Sequence, residues 1–194
     1  MIETGARRRE IDEVASELFH ASGYAATSIR DIARALDIQG ASLYAHVASK
    51  EDVLWAIVDR VATRFEAAAD AATAGAGDPD DLLAGLVRAH VRVVTEDVGE
   101  ASVFIHEWRH LSDERRQAVL ERRDAYEARF RAAIANGIAS GAFILTDPSL
   151  AATFLLTALN GIPTWYRPGG SASPAQLADL YADLAVRSLT EASR

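Results

Sequence analysis

Cysteine is absent from this 194-residue chain, which excludes a disulfide framework, a zinc–thiolate site and a thiol nucleophile, and leaves the redox compartment unspecified. Cations are also in short supply. Lys and Arg number 20 against 28 Asp and Glu, a net charge of −8 with a pI near 5.1. A chain this acidic does not hold nucleic acid through bulk charge; only a local cationic face would do so. Long apolar runs are missing too. AATFLLTAL is too short to span a bilayer, and Arg7-Arg8-Arg9 is followed at once by Glu10, Asp12, Glu13 and Glu17, a pattern that excludes a secretory signal. The expectation is a soluble, cytoplasmic protein with no membrane partner. Common catalytic patterns are lacking as well: no HExxH pair, no glycine-rich phosphate loop after a strand, no serine on a nucleophile elbow. His106-Glu107 with His110 does offer an i,i+4 pair for one metal, so a metal-dependent enzyme stands as a minor alternative. No cofactor is implied, and catalysis is not expected.

What the chain does contain is helix. Isolated strand signals are absent and alanine is abundant, so the fold class is all-α. Ile11, Val14, Ala15, Leu18 and Phe19 recur at helical spacing from Arg8 to Ser22, and Gly23 ends that helix as a left-handed cap. A helix from Lys50 repeats Val53, Leu54, Ile57, Val58, Val61 and Phe65, then dissolves into alanines before the break Ala74-Gly75-Ala76-Gly77. Asp78-Pro79 opens the next with a cap and an N1 proline. Gly99 is expected to interrupt it, Ser102 to Leu111 to form a short helix, and Ser112 to cap a long one that ends between Gly137 and Gly141. Asp147-Pro148 opens a helix running toward Trp165, and Ser173-Pro174 opens the last, to Glu191. About nine helices result, with no repeat of fixed period. They divide into a three-helix head over residues 1–50 and a larger helical bundle over residues 51–194.

The most informative stretch is TSIRDIARALDIQGASLYAHVASK, residues 27–50. Thr27 or Ser28 caps a short helix, and Ser28 with Asp31 forms an acidic capping box. Ile29, Ile32, Ala33 and Leu36 share its apolar face, leaving Arg30 and Arg34 outward. Asp37 and Ile38 turn the chain, and a second short helix runs from Gln39 to His46 with Leu43 inward. This is a helix-turn-helix, whose second helix enters the DNA major groove N-terminal end first. Gln39, Gly40, Ala41 and Ser42 make that end slim and polar. Arg30 and these four are expected to face bases, Gln39 suiting adenine and Arg30 guanine. Thr27, Ser28, Tyr44, His46 and Lys50 complete the expected DNA contacts, with Thr27, Tyr44, His46 and Lys50 on phosphate oxygens. Arg7, Arg8 and Arg9 form a basic arm able to reach the backbone or an adjacent minor groove.

ELFHASGYAATSIRDIARALDI followed by LYAHVASKEDVL resembles the DNA-binding domain of the tetracycline-repressor (TetR) family over roughly Arg8 to Leu54. Asp37 stands where that family usually has glycine, at a turn position that favours a positive φ; Ala41 and Val47 also depart from the commoner residues. The resemblance implies a homodimeric transcription regulator, most often a repressor, that binds a palindromic double-stranded operator and responds to a small-molecule effector.

In the bundle, the last two helices carry apolar faces wider than one buried side requires. Leu150, Phe154, Leu155 and Leu159 on one, with Leu177, Leu180, Tyr181 and Leu184 on the other, are the expected dimerisation residues, a placement the resemblance also implies. An effector pocket is expected among Phe65, Val87, His90, Val94, Phe104, Trp108, Tyr126, Phe130, Phe154, Thr157 and Asn160, where His90 and Asn160 are polar groups on otherwise apolar faces. HEWRHLS, RRDAYEARFRAAIANGIASGAF and ALNGIPTWYRPGGSASPAQLADLYADL are similar to a TetR branch controlling fatty-acid or steroid catabolism, which implies an acyl-CoA effector. Arg123, Arg129 and Arg131 would suit its phosphates, although Arg–Glu pairs along a solvated helix explain them equally well. The other rival is a helical lipid carrier that ignores DNA, which would leave the stretch from Thr27 to Lys50 without purpose.

Overall fold

The computed structural model describes residues 2–75 and 77–190, with side chains from residue 6 onward. Ala76 of the expected break and Glu191, the expected end of the last helix, lie outside the described residues. Among these there are ten α-helical segments and one 3-10 turn, with no strand. Helix α1 spans Ile2–Ser22, α2 Ile29–Ala35, α3 Gly40–Leu43, α4 Lys50–Thr73, α5 Pro79–Glu96, α6 Val98–His106, α7 Asp113–Ser140, α8 Pro148–Asn160, α9 Ile162–Trp165 and α10 Pro174–Arg187. The expected nine helices are these ten with α8 and α9 counted as one. No helix among the described residues is long and apolar enough to cross a membrane.

Local chemistry explains most of the boundaries. Gly23 stops α1 at φ 84°, its N–H donating to the Phe19 carbonyl at 2.9 Å. Asp78 and Asp147 cap α5 and α8 with their carboxylates ahead of an N1 proline, and Ser173 caps α10 in a capping box with Gln176. One boundary falls elsewhere than expected. The break before α6 is Asp97, in extended backbone, whereas Gly99 sits inside the first turn of α6. Glycine tolerates a helix; an extended residue cannot continue one.

The chain forms two compact units. The first comprises the residues up to Ala62 together with Gly99–Leu120, and the second Thr63–Val98 with the residues from Glu121 onward. Ile11, Phe19, Ile32, Leu43, Leu54 and Ile57 are fully buried in the first. At roughly 1.5–3 kcal/mol for each such side chain, their burial dominates its stability.

A frame of arginines and acids is laid over that core. Arg8 donates to Asp12 at 3.0 Å and to Asp52 at 3.1 Å. Arg60 donates to the other oxygen of Asp12 at 3.0 Å and also binds Glu100. Burial works against the Arg60 charge, yet the Glu100 and Asp12 carboxylates more than offset it and hold its pKa above the ordinary value. Arg8 therefore does not belong to a free basic arm: residues 7–9 lie within α1, and Arg7 pairs with Glu10 at 2.6 Å.

In the second unit α10 packs along α5, which α8 and α9 also touch. Leu83, Leu86, Ile134, Leu159 and Ile162 are fully buried there. Arg122 grips Glu66 at 2.6 and 2.7 Å and Thr63 at 2.9 Å, while Arg129 pairs with Asp70. These bonds tie the later half of α4 to α7. Arg64–Glu96 at 2.9 Å ties it to α5. Such part-exposed pairs contribute about 0–1 kcal/mol each, so they fix geometry more than they stabilise.

Candidate functional site

The helix-turn-helix is built by short-range bonds. Ser28 caps α2: its Oγ accepts from the Asp31 N–H at 3.2 Å while its own N–H donates to the Asp31 carboxylate at 2.9 Å. The Ser28 hydroxyl and backbone, then Arg34 at 2.9 Å, hold the Asp31 carboxyl below the ordinary carboxylate range. The turn into α3 pivots on Asp37, the one non-glycine residue with positive φ among those described, at 52°. Its backbone conformation is the one expected of glycine at this position. Asp37→Val is expected to destabilise the protein by about 1–2 kcal/mol, because a β-branched side chain is strained in that region; urea unfolding at neutral pH measures it.

This geometry leaves one polar surface. Gln39 caps α3 without a side-chain bond, and Arg30, Gln39, Ala41 and Ser42 are exposed with Gly40 half-buried. Tyr44 is 58% exposed. Arg30, Ala33, Arg34, Asp37, Ile38, Gln39 and Gly40 line a concavity of about 370 Å³ beside the start of α3. Arg34, outward in the sequence pattern yet absent from the expected contacts, is 77% exposed at its side chain and lines that hollow. The second helix is shorter than the expected Gln39–His46: it ends at Leu43, and residues 44–46 are a turn.

Two residues expected on phosphates are bound within the fold. Thr27 is 4% exposed, and its hydroxyl lies 3.0 Å from the Gly23 carbonyl and 3.3 Å from that of Leu18. A buried hydroxyl already donating to main chain cannot reach DNA. The Lys50 ammonium donates at 2.8 Å to the carbonyls of both Tyr24 and Thr27 and lies 4.0 Å from the Tyr24 ring centroid. Desolvation lowers its pKa. Lys50 is thus a clamp on the turn before α2, with at most one N–H left for a phosphate. His46 is half-buried, its Nδ1 buried without a hydrogen-bond partner, and its carbonyl accepts from Arg8 at 3.4 Å. Sequence spacing marks these residues as polar and near a helix start. It does not say which of them the fold consumes.

The i,i+4 histidine pair behind the minor metal alternative is not formed. Helix α6 ends at His106, and a 3-10 turn at Trp108–His110 follows, so His106 and His110 do not share a helical face. His106 is 3.0 Å from the Ser102 carbonyl, and His110 pairs with Glu107 at 3.4 Å and stacks on Tyr24.

Helices α8 and α10 resolve the wide apolar faces into two sides each. Leu155, Leu159 and Leu177, expected at a dimer interface, point into the unit's own core at 6%, 1% and 3% exposure. Leu150, Phe154, Leu180 and Leu184 point outward at 71%, 64%, 53% and 56%. Tyr181 is half-buried. Phe154 therefore belongs with the outward group and not with an internal pocket, and Thr157 is exposed with its hydroxyl donating to the Thr153 carbonyl at 2.7 Å. Of the other pocket residues, Phe65, Val87, His90, Val94 and Phe130 are buried in the second unit. Tyr126 and Asn160 are half-buried there. Phe104 and Trp108 are buried in the first unit.

Phe65, His90, Tyr126 and Phe130 form a run of rings, with centroids 4.6 Å apart for Phe65–His90, 5.8 Å for His90–Tyr126 and 5.6 Å for Tyr126–Phe130. His90 Nδ1 is 3.2 Å from the Tyr126 hydroxyl. Burial, then the nearby Arg123 charge, lowers the His90 pKa to about 3, so the imidazole is neutral at physiological pH. Burial also pushes the Tyr126 phenol up, against the opposing pull of Arg129.

Comparison with known proteins agrees with this architecture. Residues 11–57 match the family described as bacterial regulatory proteins, tetR family, and residues 76–189 match the tetracyclin repressor-like C-terminal domain. The HTH-type transcriptional repressor KstR2 of Mycobacterium tuberculosis is 27% identical over 97% of this chain and 96% of its own. The crystal structure of the TetR-family regulator PfmR from Thermus thermophilus shares 34% identity with a TM-score of 0.83, covering 91% of this chain and 97% of that one. AibR, solved in complex with isovaleryl coenzyme A and operator DNA, shares 28% identity with a TM-score of 0.82, over 92% of this chain and 97% of its own. The chain belongs to the tetR family of bacterial regulatory proteins.

Proposed function

We propose that this chain is a homodimeric, DNA-binding transcriptional repressor of the cytoplasm, released from a palindromic operator by a small apolar or acyl-CoA-type effector, and not a catalyst. Residues 1–50 read the operator; residues 51–194 bind the effector and pair the two copies. The observation that carries the reading is the exposed surface at the start of α3. Arg30, Gln39, Gly40, Ala41 and Ser42 face bases there, flanked by Ser28, and Tyr44, His46 and the remaining Lys50 N–H reach phosphates. A Cβ added at Gly40 would meet nothing within 4 Å, so no neighbour among the described residues requires a glycine there. A slim residue serves the approach of a duplex. The repressor names of the KstR2 relatives and the AibR complex with operator and isovaleryl coenzyme A support both halves of the proposal. The effector is taken up beside Phe65, Val87, His90, Val94, Tyr126, Phe130 and Asn160. Because Phe65 lies on α4, which also carries Lys50 at its start, an effector that shifts α4 alters the operator-reading surface and lowers its affinity.

The test is selection of sheared genomic DNA on the purified protein, followed by sequencing. A palindromic site is expected, and Tyr44→Ala is expected to weaken it about tenfold to a hundredfold, one lost phosphate bond per half-site. Its unfolding free energy should change by no more than about 0.5 kcal/mol, as for an exposed side chain. Enrichment of no site at low salt would move the lipid-carrier reading ahead.

A further inference from the structure

His90 is the one histidine of the second unit, and its bonding is half complete. It is 3% exposed, and its sole hydrogen-bond partner among the described residues is the Tyr126 hydroxyl, at Nδ1. Nε2 is buried with no partner. The identity of the donor in the Nδ1 bond follows from hydrogen-bond counting. The Tyr126 hydroxyl has one proton and no other acceptor among the described residues, so it donates to Nδ1. Were Nδ1–H the donor, both the phenol proton and Nε2 would be left without a partner among the described residues, a rare arrangement in folded proteins. Nδ1 is therefore the acceptor, the proton of the neutral ring sits on Nε2, and the unsatisfied atom is an N–H donor. Phe65 covers one side of the ring at 4.6 Å between centroids, and no carboxylate among the described residues is bonded to the ring.

We infer that His90 Nε2–H is the group that fixes the effector, by donating a hydrogen bond to an uncharged carbonyl oxygen, as in a ketone or a thioester acyl group. This deepens the regulator reading above and rests on it for the word effector. A carboxylate finds no opposite charge on the neutral imidazole, and the Arg123 charge that acts on His90 would draw an anion toward the guanidinium and away from Nε2. A hydroxyl that needs to donate finds no acceptor there, because Nδ1 is occupied by Tyr126. A carbonyl oxygen accepts from Nε2–H and leaves no proton unmet, and the apolar remainder of the molecule lies against Phe65 and Phe130.

The experiment uses the full chain with nitrogen-15 in its imidazoles. The ligand-free protein should show His90 as the Nε2–H tautomer, and the Nδ1–H tautomer would overturn the inference outright. Cyclohexanone is then titrated in parallel with methylenecyclohexane, which has the same shape without an acceptor. The ketone should move the His90 Nε2–H resonance downfield and bind about tenfold more tightly than the alkene, with that advantage lost in His90→Phe. Equal responses to the two probes, or none to either, would overturn it. Operator binding is followed separately. Loss of the ketone response with operator binding intact refutes the role of His90 alone, whereas a chain that selects no operator refutes the regulator reading and leaves the tautomer and probe results standing.

Discussion

Glutamate at both Phe154 and Leu184 is expected to convert the protein from a dimer to a 20.9 kDa monomer in light scattering, with its fold intact and its operator affinity down by a factor of about 10²–10⁴. The two side chains are 64% and 56% exposed, so neither contributes much to the core of its own unit. Leu155 and Leu177, which hold α8 and α10 inward, remain untouched. Large apolar side chains left this open on two helices are what a partner copy would cover. Replacing them with carboxylates would force charge into that interface unpaired, a cost of several kcal/mol for each copy. Operator binding would suffer because a palindrome rewards two heads held about 34–36 Å apart, a separation only a dimer maintains. The readouts are the mass at micromolar concentration and the titration of the selected operator. A double variant that stays dimeric, or binds as tightly as the parent while monomeric, removes α8 and α10 from the interface.

That prediction depends on a distinction the sequence did not make. Pattern alone located α8 and α10 and marked their apolar faces, because Asp147-Pro148 and Ser173-Pro174 are strong starts and the spacing is helical. Yet a helix with apolar residues on both sides has no periodic signal to say which side is inside. Leu155, Leu159 and Leu177 went inward and Leu150, Phe154, Leu180 and Leu184 outward, a partition decided by packing on α5. The head behaves in the opposite way. Ser28 with Asp31, Gly23 and the positive φ at Asp37 were legible because each is a bond or a strain within a few residues. The roles of Thr27, Lys50 and Arg8 inside the fold were illegible for the complementary reason. Their partners stand as far away as Leu18 for Thr27, Tyr24 for Lys50 and Asp52 for Arg8, and sequence spacing carries no trace of those encounters. The break at Asp97 has neither a glycine nor a proline to announce it.

His90→Phe is expected to change the pH dependence of stability more than its value at neutral pH. In the folded protein the imidazole titrates near 3, against an ordinary value of 6.5. Between these limits the unfolded chain binds a proton that the folded chain refuses, so stability rises with pH across that interval. The contribution is fully present above about 6.5 and is lost progressively as the pH falls toward 3, reaching roughly 5 kcal/mol across the whole window. Neighbouring groups do not obscure it. Burial keeps the Tyr126 phenol neutral throughout. Phenylalanine at this position removes the titration but orphans the Tyr126 hydroxyl, so the variant should be about 1–3 kcal/mol less stable at pH 7. Because the wild type loses stability faster on acidification, the two curves should converge below about pH 6 and then cross. Urea unfolding of both proteins at half-unit steps from pH 7 to 4.5 measures the difference, in which the acid response common to all other carboxylates and histidines cancels. Parallel curves would mean that His90 is charged in the folded state or reached by solvent, and the neutral Nε2–H donor on which carbonyl recognition depends would then be lost.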